Sequence, residues 1–438
     1  MSSQSAAATI STSGLGYSRP VDGSDQKSKA SAQIRSSEFA TRYSRHGHGI
    51  DVRQTFAHLP MQPFWTWLTG KSLWPHKPRR PQQTWLSEWQ LWLQILWGYS
   101  VIIGSIVAAS LVWNASWPIW QAMPVYVVAW ILVVNRTRGL LHTFHYTNHG
   151  ATIADMKRAR TIATCFLSVP IMHTSWRNYH RLHAQVHHGS NSLCTDTDPD
   201  QQFMTQHGFY RGMSERRFWT LLVVAPLFPS NIWGHIKFRL EENFIKAEPF
   251  EIVLRTGYWL IFATLVTYFQ VWMEILLFLF LPLFFLTQIS SWIQHTTEHL
   301  WFPERPEGSA LHVFVGAMTW GRFFGRPYPA AGVSFRAPKI LFWWLSALLM
   351  DLPIRLFSFM QDLSCHDFHH RSPRVNFWSI SQERRANEGL PSKFGPMTET
   401  WSVWESWLVL RDHLCRGDYD PFGVFEWEKA RQQQDQQG

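Results

Sequence analysis

The sequence predicts an all-α integral membrane protein: two transmembrane helical hairpins with a cytoplasmic helical cap carrying a polyhistidine dimetal site. Three observations predict it. Several uncharged apolar runs approach the roughly 20 residues that a bilayer-spanning helix needs. The chain holds 26 Trp and 31 Phe, and Trp recurs at the ends of those runs, where the membrane–water interface favours it. Four short windows, 27 residues together, contain 12 of the 21 histidines.

The bulk properties agree. The 438 residues carry a net charge of +9, with Lys and Arg beside apolar runs, so the positive charge suits an anionic membrane face and not nucleic acid. The four cysteines are far apart and form no CxxC, which argues against a zinc ribbon or a disulfide scaffold. Cys365, beside His366, reads as a small buried neighbour.

In chain order, residues 1–60 are rich in Ser, Ala and Gly and read as a disordered N-terminal tail without a secretory apolar segment. Residues 61–420 form the membrane domain. Trp65, Trp67, Trp74 and the basic run from Lys77 to Arg80 approach the bilayer on its positive side. Spans are expected at about 91–113, 117–134, 257–270 and 271–293. The second carries Pro118 and Pro124, which membrane helices tolerate where neighbours satisfy the freed backbone. The turns within both hairpins lack Lys and Arg, whereas Arg136 and Arg138 follow the second span. The positive-inside rule therefore places both ends of each hairpin, and both termini, in the cytoplasm. Residues 340–360 are apolar but contain Asp351, Pro353 and Arg355, and read as an amphipathic helix lying against the membrane. Residues 421–438 are a polar C-terminal tail.

This multi-pass topology puts all four histidine windows on one face. His145 and His149 are i,i+4 on a helix extending the second span. His183, His187 and His188 follow a short interfacial segment. His299 emerges from the fourth span. His366, His369 and His370 follow the amphipathic helix. Imidazole is the commonest neutral metal ligand, and the histidines of the four windows together exceed what one tetrahedral ion takes, so two ions with four or five nitrogens each would use them. Imidazole suits zinc, copper, iron and nickel alike.

The order HxxxH (His145–His149), HxxxHH (His183–His188), Glu298-His299 and HxxHH (His366–His370), with two hairpins between, resembles the membrane fatty acid desaturase and hydroxylase superfamily over roughly residues 90–375. Tyr146 stands where acyl desaturases often place Asp, and the Glu298-His299 pair is also similar to alkane monooxygenases. The resemblance implies that nine histidines, His145, His149, His183, His187, His188, His299, His366, His369 and His370, hold two iron ions and that O2 is a co-substrate. It leaves His142, His180 and His295 as hydrogen-bonding neighbours, with Asp196, Asp198, Glu298 and Asp367 as candidates for orienting the ligands. It implies oxidation of an unactivated C–H bond in a lipid or fatty-acyl chain. Desaturation is the first reading, with alkyl hydroxylation or carotenoid modification as alternatives. It also implies a separate electron-donor protein, of ferredoxin or cytochrome b5 type, and an apolar substrate tunnel between the spans. A metal transporter is the competing class, but the span interiors are nearly free of the ionisable groups that mark ion paths.

Overall fold

The computed structural model describes residues 50–73 and 84–437. The basic run at 77–80 and most of the expected N-terminal tail lie outside that range. The fold is mostly helical, with almost no sheet: β1 (Gly321–Arg322) and β2 (Glu399–Thr400) form one two-residue parallel ladder. In chain order the helices that position the histidines are α1 (Gln62–Thr69), α2 (Glu88–Asn114), α3 (Ile119–Asn148) and α4 (Trp176–Tyr179), the last continued by a π-helical stretch His180–His187. They are followed by α5 (Pro199–Gln206), α6 (Pro229–Phe244), α7 (Pro249–Tyr268), α8 (Trp272–Glu298), α9 (Arg336–Phe357) and α10 (His366–Arg371). After these come α11 (Ile380–Asn387), α12 (Val403–Arg416) and α13 (Val424–Gln437).

Five helices, α2, α3, α7, α8 and α9, are long and apolar enough to cross a membrane. Much of their apolar surface faces outward, as with Leu96, Ile103 and Leu111 on α2 and Val253, Leu260 and Ile261 on α7. Large contiguous apolar faces of this kind are not left to water. At one end, the Asn114 side chain donates to Glu274 Oε1 at 3.2 Å, joining the α2–α3 turn to the start of α8. Gly98 lets α2 and α3 approach closely; a Cβ there would sit 2.7 Å from the Leu140 side chain.

Several boundaries differ from the sequence expectation, each for a physical reason. The third span begins at Pro249 rather than 257, because its charges are consumed inside the protein. Arg255 bonds Glu251 at 2.9 Å and the His173 carbonyl at 2.9 Å. The segment expected to lie on the membrane, 340–360, belongs to α9, a fifth helix of spanning length. Its Arg355 is buried and donates to the Trp67 carbonyl at 2.7 Å. Residues 52–56, expected in the tail, form a short helix whose Val52 and Phe56 are buried among Trp65 and Trp343. The expected C-terminal tail also packs: Phe422, Val424 and Phe425 enter a core with Val313 and Leu410. In each case a few apolar side chains anchor an otherwise polar stretch.

Inside α8 the backbone widens into a π-helical stretch, Leu276–Leu286, around Pro282. Proline removes a helical donor and disturbs the ladder. Thr287 Oγ1 donates to the Pro282 carbonyl at 2.8 Å and Arg239 to the Leu283 carbonyl at 3.0 Å.

The N-terminal segment is clamped to α10 through Gly70. Its φ of 76° is in the left-handed region, and its carbonyl accepts from Cys365 Sγ at 3.5 Å and Ser381 Oγ at 3.0 Å. A Cβ there would lie 2.3 Å from the Ser364 side chain. Gly70→Ala is therefore expected to cost about 1–3 kcal/mol through steric overlap and an unfavourable φ. A thermal melt of the full chain in detergent checks this; an unchanged midpoint contradicts the packing described.

Candidate metal centre

The nine histidines singled out in the sequence fall into two compact groups. His145, His149, His183, His188 and His369 form the first, and His187, His299, His366 and His370 the second; within each group one ring nitrogen per residue lies within 4.8 Å of all the others.

Local backbone geometry explains the partition. His145 and His149 are one turn apart at the end of α3 and share a face. The next window is wound as a π-helix, in which residue i+5 bonds back to residue i. The His188 N–H duly donates to the His183 carbonyl at 3.0 Å, so His188 returns over His183 and joins its group. His187 is turned toward the second group, its ring 5.0 Å from that of His299. On α10, His366 and His370 are i,i+4 and share the second group, while His369 points back to the first. His299 caps α8 in an extended conformation (φ −140°, ψ 155°), which swings it off the helix end toward His366.

Ring nitrogens meet directly. His145 Nε2 is 2.7 Å from His369 Nε2, His366 Nε2 is 3.0 Å from His299 Nε2, and His370 Nε2 is 3.1 Å from His366 Nε2. Nitrogens about 2.1 Å from one shared ion stand roughly 3–3.4 Å apart, so these spacings are close to a coordination sphere. Nε2 of His149, His183 and His188 is buried with no hydrogen-bond partner. Burial first, and neighbouring imidazoles second, hold His183, His188, His299, His366, His369 and His370 well below the usual imidazole range. They are therefore neutral, the form that ligates metal. Each of the two sets is a grouping of imidazoles that could hold a metal ion.

Surrounding groups fix the rings. His187 Nδ1 faces Asp198 at 3.1 Å and Asp200 at 3.2 Å. Burial opposes its protonation, but these two carboxylates prevail and raise it to about 9. At neutral pH that ring is doubly protonated: Nδ1–H donates to the carboxylates, and Nε2 must release its proton before it can complete a carboxylate–histidine–metal arrangement with the second group. His145 Nδ1 pairs with the Tyr179 hydroxyl at 3.0 Å. Asp367 holds α10 through Arg384, at 3.0 Å from Nε.

Sequence reasoning named Asp196, Asp198, Glu298 and Asp367 as neighbours. Glu298 lies 3.9 Å from His366 Nε2, whereas Asp196 contacts Gln201 and no histidine. His142 and His180 are outside both groups: His142 pairs with Asp362 at 2.8 Å and His180 with Asn148 at 3.0 Å. His295 bonds the Ser291 carbonyl through Nδ1 at 2.9 Å and faces Asp200 and Glu298, each at 3.8 Å. Three partners were missed: Asp200, Tyr179 and Asp362. Asp362 is buried, which pushes its carboxyl up to about 7, and it accepts from the Tyr146 hydroxyl. Asp200 stood in the acidic turn already noticed; nothing local marked Tyr179 or Asp362.

A cavity of about 1110 Å³ opens onto both groups, touching His145 and His183 of the first and His187 and His366 of the second.

Two substitutions probe this arrangement. Asp198→Asn is expected to weaken metal binding about 10–100-fold, as loss of an orienting carboxylate does elsewhere; a competition titration with a chelator measures it. His299→Ala should retain about half the metal of the parent chain, since one group survives intact, while His295→Ala retains all of it. Elemental analysis at matched expression distinguishes them, and the reverse pattern contradicts the partition.

No family model matches the chain, and no curated protein matches it.

Proposed function

We propose that the protein is a membrane non-haem di-iron oxidoreductase that uses O2 to oxidise an unactivated C–H bond of a lipid or fatty-acyl chain. The observation that carries this reading is the pair of all-imidazole groups, five and four, open to a single cavity. The motif resemblance to the desaturase and hydroxylase superfamily selects iron among the metals that imidazole suits. When bound, such a metal pair supplies reductive activation of O2 and, from it, an oxidant strong enough for an alkyl C–H bond.

The chain's own residues bind and shield. His145, His149, His183, His188 and His369 would hold one ion, and His187, His299, His366 and His370 the other. Asp198, Tyr179 and Arg384 keep the rings oriented. Desaturation converts two C–H bonds, O2, two electrons and two protons to an alkene and two waters. Hydroxylation converts one C–H bond with the same co-reactants to an alcohol and one water. The electrons come from a separate ferredoxin- or cytochrome b5-type protein. His295 is set between Asp200 and Glu298, 3.8 Å from each. Both reactions use one site, so the hold on the substrate decides which hydrogen leaves.

The membrane arrangement in this reading is two hairpins, α2–α3 and α7–α8, with the histidine-bearing segments as a cytoplasmic cap. The Asn114–Glu274 contact at the opposite end from His149 and His299 supports it. Arg136 and Arg138, on the histidine side of α3, agree with the positive-inside rule.

Expression in a host lacking the activity, followed by lipid mass spectrometry, tests the function. The expected result is an O2-dependent unsaturated or hydroxylated product that disappears in His369→Ala. An unchanged lipid profile from protein carrying two irons contradicts it. Reporter fusions after Glu304 should read cytoplasmic and fusions at Asn114 the other side; a lumenal or periplasmic Glu304 contradicts the common face.

A further inference from the structure

We propose that Asp200, His295 and Glu298 form a further cation site, separate from the two imidazole groups, which takes one exchangeable divalent ion of the Mn2+ type. The site stands independently of the oxidative reading above.

The three residues come from two elements. Asp200 lies in the first turn of α5, and His295 and Glu298 are i,i+3 at the end of α8. One side-chain atom of each lies within 4.8 Å of the others, and none of the three belongs to either imidazole group. All three line the cavity of about 1110 Å³, which gives an ion and its water ligands a way in.

Hydrogen bonding decides which atoms are free. His295 Nδ1 lies 2.9 Å from the Ser291 carbonyl oxygen, which can only accept. Nδ1 therefore carries the proton of the neutral ring, and Nε2 keeps its lone pair. Glu298 Oε2 accepts from Gln294 Nε2 at 2.8 Å, and Asp200 Oδ2 faces His187 Nδ1 at 3.2 Å. The remaining oxygens, Glu298 Oε1 and Asp200 Oδ1, each stand 3.8 Å from His295 Nε2. That is too long for a hydrogen bond. It matches donors held about 2.1 Å from a shared ion, which stand roughly 3.0–3.8 Å apart depending on the angle between them. Glu298 is 3% exposed, yet its Oε1 has no hydrogen bond among the described residues. Arg322 approaches only the other oxygen, Oε2, at 3.9 Å, and its Nη1 is already bonded to the Gln294 carbonyl and Thr297 Oγ1, each at 3.2 Å.

Charge and donor type then select the ion. Two carboxylates converge on one imidazole in a largely buried place, and a buried charge needs a partner or a metal. A divalent cation matches two carboxylates. Carboxylate and water suit Mg2+, Ca2+ and Mn2+, whereas the imidazole nitrogen disfavours the first two, which take oxygen ligands. The all-nitrogen groups beside it have the opposite preference, so the two kinds of site sort their ions by chemistry.

The test titrates Mn2+ into the full chain in detergent, already loaded with iron and freed of the excess, and reads free Mn2+ by its electron spin resonance. The expected result is one Mn2+ bound per chain with iron content unchanged. His295→Ala should weaken that binding at least about tenfold, since even the loss of a partner that only orients a ligand costs as much elsewhere. His295→Lys, which sets a fixed ammonium among the same carboxylates, should abolish it while iron content and melting temperature are kept. No uptake at millimolar Mn2+ overturns the site and leaves the three residues as an ion pair alone. Equal uptake by His295→Lys also overturns it, because the ion then sits on other carboxylates. Uptake matched by iron loss overturns it too, because the ion then sits among the imidazoles. A failure to find any oxidised lipid bears on the oxidative reading and leaves this count untouched.

Discussion

Nine desolvated imidazoles meeting nitrogen to nitrogen are the constraint around which the remaining structure is arranged. Each neutral ring offers one donor and one acceptor, and several here have a buried nitrogen with no partner. An unpaired buried polar atom costs about 1–3 kcal/mol, so the cluster is unfavourable by itself. The scaffold is built to hold that arrangement in place. The end of α3 is tied down by the Tyr146 hydroxyl, which donates to the Asp362 carboxylate. Helix α10 is held by Asp367–Arg384, and the π-helical window by the acidic turn at Asp198. The N-terminal segment at Gly70 closes over the back of α10.

The same buried polar ties let apolar helices and a charged interior coexist. Arg138, Arg255, Arg322 and Arg355 are all buried, and each donates to backbone carbonyls or polar side chains. Arginine suits this because its fixed fork satisfies several acceptors at once. Arg322 lies on β1 and reaches the Leu363 carbonyl at 2.7 Å and Thr297 Oγ1 at 3.2 Å, linking the end of α8 to the approach to α10. Two segments that supply the second imidazole group are thereby fixed to each other.

Much of this was legible in the sequence. Uncharged runs gave four of the five long apolar helices, the HxxxH, HxxxHH and HxxHH spacings gave eight of the nine histidines that the fold brings together, and the resemblance added His299. What was not legible follows from long-range pairing. The partition of His187 from His183 depends on π-helical winding, which spacing alone does not reveal. Arg255 hid the true start of α7, because a charge reads as a helix boundary until its partner Glu251 and the His173 carbonyl are seen. Asp351, Pro353 and Arg355 concealed α9 in the same way. Tyr179 and Asp362 carry no local mark of their contacts. The cavity wall is assembled from α3, α4, α5, α6 and α8, so no single stretch announces it.

The most direct measurement is anomalous scattering at the iron edge from crystals of the iron-loaded protein. The account predicts two iron positions per chain, one ringed by His145, His149, His183, His188 and His369 and the other by His187, His299, His366 and His370. A single iron, or iron held by Asp200, His295 and Glu298 instead of the second imidazole group, would contradict it.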